Sequence, residues 1–218
     1  MSWKMRISIL LRQMRMRSDR GNAAIEFAFV APAFFALMFG ILEIGTMTFA
    51  QFALQNAVTV TGRLVRTGQA QGIDPTTAAK CMGGNAATDP GHYTTTADWY
   101  RGQICCNTYG VISDAACHDS NKLFLNVTSA ATFAAAGSFS SATANVTNAY
   151  NPGVACDVVL VRATYAWKIW FPGLARLLNA NNGDYLVNIQ DSQGAGAHLL
   201  SATTAFRNEP YTSGVNGC

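Results

Sequence analysis

Two kinds of side chain are spaced for chemistry in this chain: an acid at the mouth of an apolar stretch, and thiols beyond it. The stretch Arg20-Gly21-Asn22-Ala23-Ala24-Ile25-Glu26-Phe27 joins a basic leader to a long apolar run. Glu26 places a carboxylate where charge is costly. This arrangement reads as a cleavage and assembly signal rather than as an ordinary membrane anchor. Cutting between Gly21 and Asn22 would create an ammonium on Asn22, and Glu26, four residues on, would lie one helical turn away. The two charges would pair within a chain or between neighbours, more strongly in a low dielectric. A carboxylate in the first turn also favours the helix dipole.

A second acid, Glu43, follows 17 residues later, roughly 26 Å along a helix at ~1.5 Å per residue. The hydrocarbon layer of a bilayer is ~30 Å thick, so one reading puts the two carboxylates at opposite interfaces. A sharper reading follows from stepping by three and four residues. Ala33, Ala36, Gly40, Glu43, Met47, Ala50, Leu54 and Ala57 then form one stripe, mostly of small residues. Close helix packing in lipid prefers such a stripe. Glu43, with Gly40 and Ala36, is therefore a candidate for helix assembly, facing a partner helix rather than lipid.

The six cysteines, Cys81, Cys105, Cys106, Cys117, Cys156 and Cys218, all follow the apolar run. No C-x-x-C pair occurs among them, which leaves a zinc ribbon or a thioredoxin-like motif without support. Cysteines confined to an exported side point to disulfides in an oxidising compartment. Their connectivity is open, although the adjacent Cys105 and Cys106 are expected to bond elsewhere rather than to each other. Cys106, Cys117 and His118 are close enough in sequence to suggest a thiol nucleophile, but oxidisable cysteines on an exported side favour bridging. His198 reads as a structural strand residue. No phosphate-loop, H-E-x-x-H or G-x-S-x-G pattern occurs, and no catalytic residue, metal site or cofactor is expected.

These residues need elements to position them. The formal charge of +3 divides unevenly. Residues 1–21 carry six basic residues against Asp19 alone, which leaves nine basic against eleven acidic residues for the rest. The leader is a positive-inside signal that keeps the N-terminus cytoplasmic, and no nucleic-acid surface is expected beyond it. Phe27–Leu42 has no formal charge, and a span needs about 20 mostly apolar residues, so one membrane helix is expected, with Pro32 inside it. The pattern then turns amphipathic through Phe52–Val65, and Gly68 with Gln71-Gly72 ends it.

Beyond the helix, alternation predicts strands at Leu123–Thr128 and Asp157–Lys168, and a last strand is expected around Ala197–Arg207. Asp74-Pro75 predicts a short helix through Met82, and others are expected at Thr96–Tyr109 and Leu174–Asn179. Ala130–Tyr150, rich in small and polar residues, reads as a surface excursion. The expected fold is α+β: one long N-terminal helix, half membrane-spanning and half amphipathic, packed on a small antiparallel sheet with short helices and disulfide-tied loops. The expected divisions are a cytoplasmic leader at 1–21, a helix at 22–68 spanning the membrane at about 25–48, and an exported domain at 69–218.

Several motifs in order resemble the TadE-like pseudopilins of the bacterial tight-adherence (Flp) pilus system. They are Arg20-Gly21, Ala23-Ala24-Ile25-Glu26-Phe27-Ala28, Pro32, Phe39-Gly40-Ile41-Leu42-Glu43-Ile44-Gly45 and Ala53-Leu54-Gln55-Asn56-Ala57. The likeness is dense over roughly residues 20–67 and returns at Ala202–Tyr211, a segment similar to the terminal strand of such proteins. The resemblance implies cutting by a prepilin peptidase after Gly21, where glycine leaves the backbone accessible. Glu26 then becomes the fifth residue of the mature chain, a position linked in pilin-like proteins to processing and registration. It also implies a non-enzymatic minor pilin or assembly factor in the inner membrane with a periplasmic domain. Its partners would be other pilins, the assembly platform and lipid. The alternatives are an uncleaved single-pass membrane protein with an exported binding or enzymatic domain, and a secretory precursor cut after Ala50. The second is disfavoured by a long apolar region carrying two glutamates.

Overall fold

The computed structural model describes residues 3–78, 81, 93–108, 110–112, 119, 121–137, 139, 148–169 and 197–211. The expected helix at Leu174–Asn179 lies outside these residues, as do Cys117, His118 and Cys218. The chain divides into two compact units, Met1–Ile44 and Gly45–Cys218. A single helix, α1, spans Trp3–Arg66 and holds Pro32 in its interior.

In the first unit the described side chains of α1 have little to pack on. Ile25, Phe27, Phe29, Val30, Phe34, Leu37, Phe39, Ile41 and Leu42 are exposed. Local ring contacts partly organise them: Phe34 meets Phe35 edge-on at 5.7 Å, and Phe35 stacks on Phe39 at 6.2 Å. A helix apolar on its open faces is one whose surroundings are apolar. The segment Gly21–Arg66, 46 residues, is long and apolar enough to cross a membrane.

The second unit is built on the remaining turns of α1. Ala50, Ala53, Leu54, Ala57, Val58, Thr61 and Val65 are buried, at the three- and four-residue spacing of one helix face. Thr61 satisfies its buried hydroxyl by donating to the Ala57 carbonyl, 2.8 Å. This face meets a four-stranded sheet of order β2-β1-β3-β4, with β1 Leu123–Ala130, β2 Ala149–Tyr150, β3 Val158–Lys168 and β4 Ala197–Arg207. Alternating residues of the strands supply the facing layer: Leu123, Leu125 and Val127, then Val159, Val161 and Ala163, then Leu200 and Ala202. A second helix, α2 (Thr96–Cys106), adds Trp99, Tyr100 and Ile104 to the same core. Thr95 caps it by accepting from the Asp98 amide at 3.1 Å. A four-residue turn of helix, α3 (Phe133–Ala136), lies exposed in the predicted surface excursion.

Two expectations change. The sheet is mixed rather than wholly antiparallel, because β2 runs parallel to β1 over the pairs Asn126–Ala149 and Val127–Tyr150. The β1–β3 and β3–β4 ladders are antiparallel throughout. At 75–78 there is a turn and not a helix. The Asp74 carboxylate accepts from the Thr76 amide at 3.0 Å and the Ala78 amide donates to the Asp74 carbonyl at 3.0 Å. Asp and Pro begin turns as well as they begin helices; of the remainder of the predicted helix, residues 79, 80 and 82 lie outside the described residues.

The end of α1 is tied down closely. Gly68 adopts a positive φ of 79°, and the Tyr211 ring lies where a Cβ would stand. The Glu209 amide donates to the Arg66 carbonyl at 2.9 Å, and the Arg66 guanidinium meets the Glu209 carboxylate at 3.2 Å. Asn208, buried, donates its side-chain amide to the carbonyls of Pro152 and Val154 at 3.0 and 2.9 Å.

Candidate processing and assembly site

Gly21, Asn22 and Glu26 are exposed and lie within α1, so the Gly21–Asn22 bond is held in helical geometry. Nothing described lies within 4 Å of a Cβ added at Gly21, so packing within the chain does not require glycine there. Glycine does weaken a helix by about 1 kcal/mol relative to alanine, which makes this turn easier to open.

One turn on, the Asn22 side-chain amide donates to a Glu26 carboxylate oxygen at 3.2 Å. Without the cut, the sequence leaves Glu26 only Arg20, the helix dipole and solvent as partners. What that reading missed is the Asn22 side-chain amide, although an Asn four residues before a Glu is a recognisable helix pair. The carboxylate is thus held toward the residue whose amine cutting would create.

The small-residue stripe divides at the boundary between the units. Within the second unit Met47, Ala50, Leu54 and Ala57 belong to the core of the sheet domain, so these four serve the fold. Within the first unit Ala36, Gly40 and Glu43 are half-buried, and a Cβ added at Gly40 would meet nothing described within 4 Å.

The four described cysteines are committed to bridges. Cys81 and Cys106 form a disulfide, and Cys105 and Cys156 are also disulfide-bonded. Cys106 is therefore no free thiol nucleophile. Among the described residues no group of three or more His, Cys, Asp or Glu could hold a metal ion. His198 is half-buried in β4, and burial lowers its pKa from the ordinary 6.5. Tyr100 and Tyr150, whose rings meet at 5.6 Å in the core, are pushed up by burial and titrate far from neutrality.

A family model described as TadE-like protein matches residues 21–63. Over these residues the helix is similar to TadE-like proteins. The matched span begins at Gly21, takes in Glu26, Gly40 and Glu43, and stops three residues before α1 ends. No curated protein and no solved structure matches the chain. The TadE-like match suggests a protein associated with the tight-adherence pilus and with its other components. It takes in the part of α1 that packs on the sheet but none of the strands.

Proposed function

We propose that this protein is a non-enzymatic pseudopilin or minor pilin needed to assemble a tight-adherence pilus, cut by a prepilin peptidase between Gly21 and Asn22. The observation that carries this reading is the coincidence at Gly21. The TadE-like match starts there, the bond that follows is exposed, and Asn22 holds Glu26 from one turn away. The peptidase opens the turn that Gly21 weakens. The new Asn22 amine then joins the side-chain amide already on Glu26, and a carboxylate between two donors of one residue enters the apolar layer at reduced cost.

The basic leader stays cytoplasmic, α1 crosses the inner membrane over about residues 25–48, and the sheet domain stands in the periplasm. Ala36, Gly40 and Glu43 face a neighbouring pilin helix or the assembly platform, with Gly40 giving the close approach. The disulfides suit the oxidising side.

Intact-mass and N-terminal analysis of the membrane-extracted protein tests the processing step. A mature terminus at Asn22 is expected; Met1 returns the uncleaved single-pass reading and Gln51 the secretory one. Gly21→Trp should abolish cutting and piliation together, and normal pili on cells carrying it would overturn the role. In the same piliation assay Glu43→Leu is expected to reduce assembly without affecting cutting, and wild-type pilus numbers would remove Glu43 from it.

A further inference from the structure

Strand β4 is an end strand of the described sheet, and its sequence is unguarded. Leu199-Leu200-Ser201-Ala202-Thr203-Thr204-Ala205-Phe206 contains no charge, proline or glycine. An uncharged edge strand of this composition is a template for pairing with another chain, and proteins commonly blunt such edges with lysine, proline or a covering element.

Here the cover is made of side-chain amides. The Gln55 carboxamide donates to the Thr203 carbonyl at 3.0 Å and accepts from the Thr203 amide at 3.3 Å. One turn earlier Gln51 donates to the Ser201 carbonyl at 2.7 Å. A primary carboxamide is a peptide group in miniature, and Gln55 makes with Thr203 the pair of bonds that a residue of a neighbouring strand would make. The repeat lengths match. Four helix residues rise about 6 Å, and two strand residues advance about 6.7 Å, so glutamines at i and i+4 meet alternate residues of β4. Those alternate residues are the ones whose backbone groups point away from β3.

We infer that Gln51 and Gln55 act as a surrogate strand: their carboxamides close the β4 edge against strand addition by a second copy of this chain. The glutamines are positioning residues, and the function they protect is the monomeric state of the sheet domain.

The test uses the full chain in detergent micelles. In the Gln51→Ala/Gln55→Ala double variant the Thr203 amide should exchange with solvent about fivefold faster or more, the loss of about one hydrogen bond. Amides of the β1–β3 ladder, away from the edge, should keep their protection and so report an intact fold. Sedimentation should show concentration-dependent self-association that the wild type lacks. Adding Ala205→Pro to the double variant removes an outward N–H from the edge and should restore the monomer. Unchanged exchange at Thr203 would overturn the clasp. Faster exchange with a chain that stays monomeric, or self-association that survives Ala205→Pro, would overturn the closure of the edge against a second copy.

Discussion

Glu26 and Gly68 are single residues whose neighbours decide what each does. Glu26 has an exposed carboxylate, yet Asn22 orients it from one turn away. The sequence made the acid conspicuous and left the amide unnoticed, because a neutral polar residue beside an apolar helix carries no charge signal. Gly68 was legible as a helix terminator, since glycine readily takes the left-handed conformation that ends a helix. That the Tyr211 ring occupies the space above it was not legible, because tertiary contacts across more than a hundred residues have no local pattern. Gly68→Ala therefore meets two penalties, the positive φ and the ring. Its expected cost is more than about 1 kcal/mol of unfolding free energy, measured by urea titration. A smaller loss would mean that the ring moves aside and the turn relaxes. Arg101 illustrates the same dependence on neighbours: its buried guanidinium is held by Asp98 and by the Asn148 side chain at 3.0 Å.

Among the elements, β1 and β3 were legible from their alternation and α1 from an apolar run that turns amphipathic. β4 spans Ala197–Arg207, the bounds expected for it. β2 was not legible: two residues cannot establish a period, and its parallel pairing to β1 depends on where the chain returns. The turn at Asp74 misled because helix and turn begin with the same residues. The relation between α1 and β4 is invisible in either element alone, since it resides in the ratio of their rises. That ratio makes a further prediction. Thr59 stands one turn beyond Gln55, level with Ala205, and at present turns its hydroxyl back to the Gln55 carbonyl at 2.8 Å. Thr59→Gln should extend the row of amides to Ala205 and slow exchange of the Ala205 amide by several fold. No change would show that the helix and strand have diverged by that point.

For the whole molecule, the division of charge led to the expectation of a leader, a helix and a domain, whereas the compact units divide at Ile44–Gly45 and the TadE-like match lies within α1. The domain's fold class was readable from its strands, but the stretches with little periodicity gave no comparable guide. His198 gives the domain a pH dependence whose sign is fixed. Burial lowers its folded pKa below 6.5, so below about pH 6.5 the unfolded chain takes up a proton that the folded chain resists. The contribution is constant above that pH and is lost progressively as pH falls toward the folded value. Urea midpoints at pH 7.5 and 5.5 should differ less in His198→Gln than in the wild type, and equal differences would remove His198 as the cause.

The tie between Arg66 and Glu209 also has a consequence for the order in which the protein is made. A ribosome delivers α1 first and β4 some 150 residues later. Throughout that interval the inner face of α1, with Ala50, Leu54, Ala57 and Val58, waits without the strand that completes its cover. At roughly 5–20 residues per second the delay lasts about 10 seconds or more. The helix face is thus made long before its cover, and it closes only once β4 and Glu209 have been delivered.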